Sequence, residues 1–292
     1  MGDITVAILS PGDMGHAVGH VLVEHGLMVK TCLEGRSRRT QELAKKAGIE
    51  SVPNYEQLVC DADIILSILK PSEALNAATT VAGALGSVGE RIVYVDCNAI
   101  APNTVKKIAE IITGAGSRFV DAGIIGAPPA RGSNTRLYAS GPDIGEFEVL
   151  CQYGLDIKAA GTEVGQASGF KMVYAALTKG SSAISIELLV AAFRMGLYRP
   201  LVEELQRSQR ERYASIERSL PVMPSKSRRW VGEMEEIAKT FEDVGLTPRI
   251  FQGAADIYRF VGETALADET PEHIDRDRTL AQLIETLATE GK

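Results

Sequence analysis

The chain has little cysteine, histidine or aromatic residue to work with. Its 292 residues include four cysteines, four histidines and one tryptophan, and Phe, Trp and Tyr together make 5%. Cys32, Cys60, Cys97 and Cys151 show no C-x-x-C spacing, which argues against a disulfide framework or a cysteine zinc site. Cys32, Cys60 and Cys97 are read instead as reduced, small, buried hydrophobes. His16 and His20 stand one helical turn apart, but the glutamate of H-E-x-x-H is missing, so no metal is expected and the pair is assigned to a helix surface. No Gly-Lys-Ser/Thr follows a glycine turn, which excludes a P-loop. Positive charge is in deficit, 31 Lys and Arg against 38 Asp and Glu, and the formal net charge of −7 argues against a nucleic-acid partner. A charged-then-apolar leader and an unbroken apolar run near ~18 residues are both missing, so no membrane partner is expected and a cytoplasmic protein is.

What is present is an ordinary globular composition, 45% hydrophobic and 24% charged. The length exceeds one typical core and predicts two domains, 1–162 and 163–292. The N-terminus sets the first of them. Ile4 to Leu9 is an unbroken, β-branched apolar run, as in a strand buried on both faces. Ser10 to Gly15, SPGDMG, reads as a turn, and from His16 the residues Ala17, Val18, Val21, Leu22 and Val23 follow helical spacing until Gly26. Strand, glycine turn and helix make the front of a dinucleotide-binding unit, with the helix N-terminus offered to a pyrophosphate. Ser10, Pro11, Gly12, Asp13 and Met14 are the expected contacts. Gly12 lets the phosphates approach and Gly15 lets the helix close on the strand, while Ser10 stands where the G-x-G-x-x-G pattern wants its first glycine.

The alternation continues through a Leu27–Leu33 strand, after which Glu34 falls about 20 residues beyond the turn, placed for a ribose 2′-OH. Arg36, Ser37 and Arg38 follow at once and suit a 2′-phosphate. The cluster favours NADP, with NAD as the alternative; Ser37 as a simple N-cap of a helix over 38–47 is the competing reading. Strands are also expected at Asp63–Leu69 and Arg91–Asp96, helices at 73–85 and 103–114, and a shorter strand at Ser117–Asp121. The stretch 121–141 reads as irregular, with a returning strand at Arg136–Ser140. This is the pattern of an α/β fold with a doubly wound parallel sheet, whose ligands sit at the strands' carboxyl ends. Leu69, Lys70 and Pro71 lie at one such end and Asn98 at another.

Beyond about residue 160 no alternating pattern remains, so the second domain is expected to be all-α. Helices are expected over Gln166 to about Met195, then 198–217, 225–244, 249–263 and 272–289. In the first, Phe170, Val173, Leu177, Ile184, Leu188 and Ala191 form an apolar row, and Lys171, Tyr174, Thr178, Ser182 and Ser185 share a polar face. Lys171 lies in the first turns, where burial and the helix dipole would lower its pKa and suit it to proton transfer. Arg207, Arg210, Arg212, Lys226, Arg228 and Arg229 cluster beside Trp230 and read as a solvated face, as an anion-recognising rim or as a subunit contact. Tyr174 and Lys179 are one residue too far apart for the Tyr-x-x-x-Lys pair of short-chain dehydrogenases.

The whole chain resembles the β-hydroxyacid dehydrogenases, the group that includes 6-phosphogluconate and 3-hydroxyisobutyrate dehydrogenases, and within it a phosphogluconate-dehydrogenase-like branch with its own C-terminal helical domain. Four segments carry the resemblance: SPGDMG at 10–15, DCNAIAP at 96–102, DAGIIGAP at 121–128, and GQASGFKMVYAALTK at 165–179. The resemblance implies a Rossmann cofactor domain, an NAD(P)-dependent oxidoreductase acting on a small hydroxy acid or a related carbonyl or imine, and a homodimer. It implies Lys171 as proton donor or acceptor, Tyr174, Asn98 and Thr178 as residues that orient the substrate, and Ile125, Gly126 and Ala127 as the substrate loop. The departures are Ile125 near the family's serine, Ala175 where asparagine is usual, and Thr178 where 6-phosphogluconate dehydrogenase has an acid. The lost acid argues against oxidative decarboxylation of 6-phosphogluconate. A non-catalytic NAD(P)-binding sensor or scaffold is the alternative reading.

Overall fold

A computed structural model describes residues 4–130 and 134–290. The chain forms two compact units, Met1–Met172 and Val173–Lys292. The first is built on an eight-stranded sheet. Its parallel part runs β1 (Thr5–Ile8), α1 (Asp13–Glu24), β2 (Met28–Cys32), α2 (Arg38–Lys46), β3 (Glu50–Val52), α3 (Tyr55–Asp61), β4 (Ile64–Ser67), α4 (Ala74–Val88), β5 (Val93–Asp96), α5 (Pro102–Gly114) and β6 (Arg118–Ile125). Then β7 (Arg136–Ser140) turns back antiparallel to β6, and after α6 (Ile144–Glu148) β8 (Ile157–Gly161) pairs parallel with β7. The spatial order is β3-β2-β1-β4-β5-β6-β7-β8, so the winding reverses between β1 and β4, where α/β sheets open their ligand crevice.

Period-two alternation sorts the buried strands between two apolar layers. Val6, Ile8, Leu66, Val95 and Val120 pack on one side with Val18 and Leu22 of α1. Ala7, Leu9, Ile65, Tyr94 and Phe119 pack on the other with Ala78, Val81 and Leu85 of α4 and Ile108 of α5. Gly19 is as necessary as Gly15 to this closeness: a Cβ there would stand 2.6 Å from Ile49 Cδ1 and 2.9 Å from Ile8 Cδ1.

The expected sheet is present with three differences in its strands. Strands β3 and β8 were not anticipated; β3 has only three residues and β8 is an edge strand with two exposed positions. β6 runs on to Ile125 because pairing with β7 holds Asp121–Ile125 extended, so the start of the expected irregular stretch is sheet. Cys32 and Cys97 are buried, but Cys60 is exposed on α3. Residues 131–133 of the same stretch lie outside the described residues.

Among the described residues the second unit is all-helical. It contains most of α7 (Gln166–Arg194), then α8 (Tyr198–Ser208), α9 (Arg210–Ser219), α10 (Ser227–Asp243), α11 (Arg249–Gly262) and α12 (Leu280–Glu290). Met234 and Ile237 of α10, Tyr258 and Val261 of α11, and Leu283 and Leu287 of α12 are buried, and α10 packs along α11. The expected helix over 198–217 is broken at Gln209, whose φ/ψ of −136/47 is not helical. The last helix starts at Leu280 rather than 272, because Thr279 and Gln282 cap it reciprocally: the Thr279 N–H donates to Gln282 Oε1 at 2.8 Å and the Gln282 N–H to Thr279 Oγ1 at 3.2 Å. In the basic cluster Arg207 pairs with Glu204, Arg228 with Asp268 and Arg229 with Glu233. Trp230 packs edge-on against Tyr258, with Lys179 Nζ 5.5 Å from the indole centroid.

Helix α7 is long and apolar enough to cross a membrane, with mean hydropathy 1.3 over its best window. Met172, Ala175, Ala183, Ile186 and Leu189 on it are buried within the protein, as on a core helix that passes the same test. Much of the apolar row lies on the outside: Phe170, Val173, Leu177 and Ile184 are exposed, Leu177 by 70%.

Candidate active site at the carboxyl edge of the sheet

Every predicted cofactor residue lies just past the carboxyl end of a parallel strand. Ser10 to Met14 follow β1 and open α1. The Gly12 N–H donates to Ser10 O at 2.8 Å, and the His16 N–H to Gly12 O at 2.9 Å. Gly12 caps α1 without a side chain, so the first-turn N–H groups remain for a ligand. A Cβ on Gly12 would meet nothing within 4 Å, whereas one on Gly15 would lie 2.2 Å from Ser10 O. The turn is therefore shut against its strand and open above. That is the shape a pyrophosphate needs, and these residues fit the dinucleotide that the motif implies. The Asp13 carboxylate is ion-paired with Arg39 of α2.

At the end of β2, Glu34 is exposed and Arg36 half-buried, with Arg36 Nη2 donating to Tyr55 Oη at 3.3 Å. Ser37 caps α2: its Oγ accepts the Thr40 N–H at 3.2 Å. Arg38 pairs with Glu42 on the solvent side.

Past β4 and β5 the loops are tied together by Asn98, which is 2% exposed. Its Oδ1 accepts the Leu69 N–H at 2.6 Å. Its Nδ2 donates to Ser67 Oγ and to Asp96 Oδ2, both at 2.9 Å. Both amide hydrogens are spent inside the protein, so Asn98 is fixed as a brace between Leu69-Lys70-Pro71 and the β5 loop. Asp96 also accepts the Asn98 N–H at 2.9 Å. Burial pushes its carboxyl up to about 7, against the opposing pull of the two Asn98 bonds and with a further rise from nearby Asp121.

Asp121 of β6 holds the start of α7. Its Oδ2 accepts N–H groups from Gly165 at 2.8 Å and Ser168 at 3.0 Å, and Ser168 Oγ donates to its Oδ1 at 2.6 Å. Ser140 Oγ of β7 donates to Asp121 Oδ2 at 3.1 Å and accepts the Ala167 N–H at 2.9 Å. The helix is thus capped by the sheet. Burial raises the Asp121 carboxyl, opposed by these bonds. One turn on, Lys171 crosses β6 at Gly123, where a Cβ would stand 2.8 Å from Lys171 Cβ, and Lys171 Nζ donates to the Ile124 carbonyl. Lys171 is half-buried.

The first unit thus gathers the turn after β1, the Asn98 brace, Ile124–Ala127 and Lys171 along one edge of the sheet. Gly126 and Ala127 are exposed and Ile125 is buried. Tyr174 and Thr178 follow on α7 within the second unit, both exposed. Sequence reasoning gave no role to Asp96, Asp121, Gly123 or Ser168. The signal available was an acid ending each of two apolar strands, RIVYVD and SRFVD. Among the described residues no group of three or more His, Cys, Asp or Glu could hold a metal ion.

Comparison with known proteins accords with this geometry. Residues 5–143 match the NAD binding domain of 6-phosphogluconate dehydrogenase, and residues 192–261 match a domain of unknown function, DUF1932. An uncharacterized 28.5 kDa protein from the 7S RNA 5′ region of Methanothermus fervidus is 30% identical over 236 residues, which span 80% of this chain and 90% of that protein. The solved structure of the conserved protein MTH1747, of unknown function and described as similar to 3-hydroxyacid dehydrogenases, aligns with a TM-score of 0.64 at 32% identity, over 89% of this chain and 100% of that one. A Mycobacterium tuberculosis 3-hydroxyisobutyrate dehydrogenase solved with L-serine shares the fold, with a TM-score of 0.70 at 18% identity over 97% and 99% of the two chains. The chain belongs to the β-hydroxyacid dehydrogenase family, in the branch that joins a 6-phosphogluconate-dehydrogenase-type NAD-binding domain to a DUF1932 domain.

Proposed function

We propose that this protein is an NADP-dependent oxidoreductase that moves a hydride between the nicotinamide and a carbon of a small hydroxy acid, or of a related carbonyl or imine compound. The observation that carries the reading is Lys171 crossing β6 at Gly123 with its ammonium at Ile124 O, on the same sheet edge as the glycine turn. Ser10 to Met14 would hold the pyrophosphate, Leu69 to Pro71 the nicotinamide side, and Arg36 with Ser37 the 2′-phosphate, with Glu34 left to solvent. The nicotinamide, when bound, accepts or supplies the hydride. Lys171 handles the proton: in oxidation its neutral amine takes the hydroxyl proton as the hydride leaves carbon, and in reduction its ammonium returns a proton to the substrate oxygen or imine nitrogen. Ile125, Gly126 and Ala127 would border the substrate, and Tyr174 and Thr178 would orient it. Asn98, with both amide hydrogens committed, is assigned to holding the cofactor loops.

The exposed row Phe170, Val173, Leu177 and Ile184 supports a homodimer formed through α7, since a row of large apolar side chains in water is what an interface covers. A cytoplasmic location completes the reading.

The decisive experiment couples fluorescence titration with NADPH and NADH to a screen of hydroxy acids, aldehydes, ketones and imines. The expected result is tighter NADPH binding, and turnover of at least one class that Lys171→Ala reduces by at least 100-fold. Full turnover in Lys171→Ala would overturn the assignment. Cofactor binding with no hydride transfer to any candidate would indicate a sensor instead.

A further inference from the structure

Arg136 begins β7 beside the proposed substrate loop, and nothing in the site described so far uses it. Its register places it directly opposite Ile125, two residues from the pair Gly123–Tyr138. Directly opposed residues in an antiparallel pair project to the same face, and so do positions two apart along a strand. Gly123, Ile125, Arg136 and Tyr138 therefore share one face of the sheet. That is the face α7 covers: Lys171 stands over Gly123, and the Tyr138 ring packs on Phe170 with centroids 4.4 Å apart. Diagonal neighbours in such a pair are about 7–8 Å apart, so Arg136 stands one diagonal step from Gly123, the position that Lys171 crosses. Ile125 between them offers no polar atom.

Arg136 is half-buried and its Nε is fully buried, yet that N–H has no acceptor, and no ion pair or side-chain hydrogen bond engages Arg136 among the described residues. Other arginines here find a carboxylate: Arg118 pairs with Glu146, Arg259 with Glu235 and Asp256, and Arg278 with Glu269. A desolvated guanidinium N–H without an acceptor costs free energy that an arriving anion returns, and the planar fork suits a carboxylate held by two parallel bonds.

We infer that Arg136 is a substrate-anchoring and specificity-determining residue, gripping a carboxylate placed one or two carbons from the atom whose proton Lys171 handles. This rests on the proposed function and narrows it: neutral ketones and imines lacking a carboxylate are poor ligands, and the acid is oriented from β7 rather than from residue 125.

The test is calorimetric titration of the full-length protein, alone and saturated with NADPH, using malonate, its uncharged analogue malonamide, and inorganic phosphate. It needs no turnover, so failure of hydride chemistry and failure of the anchor are read separately. The wild type is expected to bind malonate at least 10-fold more tightly than malonamide or phosphate. Arg136→Leu and Arg136→Gln are expected to weaken malonate by about 10- to 100-fold, as for loss of a charge-assisted bond, with NADPH affinity unchanged as evidence of a folded site. Arg136→Lys, which keeps the charge and loses the fork, should bind malonate more tightly than Arg136→Gln and less tightly than the wild type. Once a substrate acid is found, Arg136→Gln should raise KM far more than it lowers kcat. No malonate binding by the wild type, equal binding by Arg136→Gln, equal binding of malonamide, or a preference for phosphate would each overturn the inference.

Discussion

Asp121 accepts both the backbone N–H of Ser168, at 3.0 Å, and its hydroxyl, at 2.6 Å, so a strand of the sheet serves as the cap of the helix that carries Lys171. The position of the lysine is thus set by a buried carboxylate that holds the helix one turn before it.

Asp121→Ala should leave the Gly165 and Ser168 N–H groups buried without acceptors. We expect a loss of about 3 kcal/mol in urea unfolding of the full chain, on the usual cost of one or more orphaned buried donors. Ser168→Ala, which removes one of the bonds, should cost about 1 kcal/mol. Hydride transfer by Asp121→Ala should fall more than NADPH binding, because the turn after β1 is untouched.

The two turn glycines should separate cleanly. Gly15→Ala places a methyl 2.2 Å from Ser10 O and 3.2 Å from Ile8 Cγ2, and should destabilise the protein by about 1–3 kcal/mol through overpacking. Gly12→Ala meets nothing within 4 Å, so its melting temperature should match the wild type while its NADPH affinity drops at least 10-fold. Unchanged NADPH binding by Gly12→Ala would remove the turn from the cofactor site.

Stability should fall as the pH rises through neutrality. The Asp96 carboxyl is held up near 7 by burial, so the folded state keeps a proton there that the unfolded chain loses near its ordinary value. The favourable contribution is full below about pH 4 and is lost as pH rises through 7. The slope reaches at most about 1.4 kcal/mol per pH unit. Urea midpoints of the wild type between pH 5 and 8 should decline accordingly, and Asp96→Asn should flatten the decline.

Cofactor choice should depend on Arg36. Arg36→Glu should invert the ratio of NADPH to NADH affinity by about 10-fold or more, with little change in stability. An unchanged ratio would return the 2′ position to Glu34 and favour NAD.

The first unit was legible wherever chemistry is local. An apolar β-branched run, a glycine turn and a helix gave β1 and α1, and Ser37 was readable as an N-cap because the N–H it accepts, that of Thr40, is three residues away. Lys171 stood out by its place in the first turns of a long helix. The Asp121 cap was not legible, because it joins residues 47 positions apart, and neither was the Asn98 brace, which depends on β4 lying beside β5. Helical spacing found an apolar row on α7 but could not say whether it faced the protein. The packed side is the small-residue one, with Ala175, Ala176 and Ala183, and the bulky Val173 and Leu177 face outward. The start of α12 is carried by the reciprocal cap of Thr279 and Gln282, a local signal that lies within the helix expected over 272–289.

The order of the sheet also bears on how copies of this protein avoid one another. One edge is β3, only three residues long. The other is β8, whose exposed Lys158 sits with Asp156 at its entrance. A short strand and a charged one are poor templates for another strand to add to. Runaway strand-to-strand aggregation is thereby discouraged at both ends, and a crowded solution of this protein should stay free of fibres even though so much of its first unit is sheet.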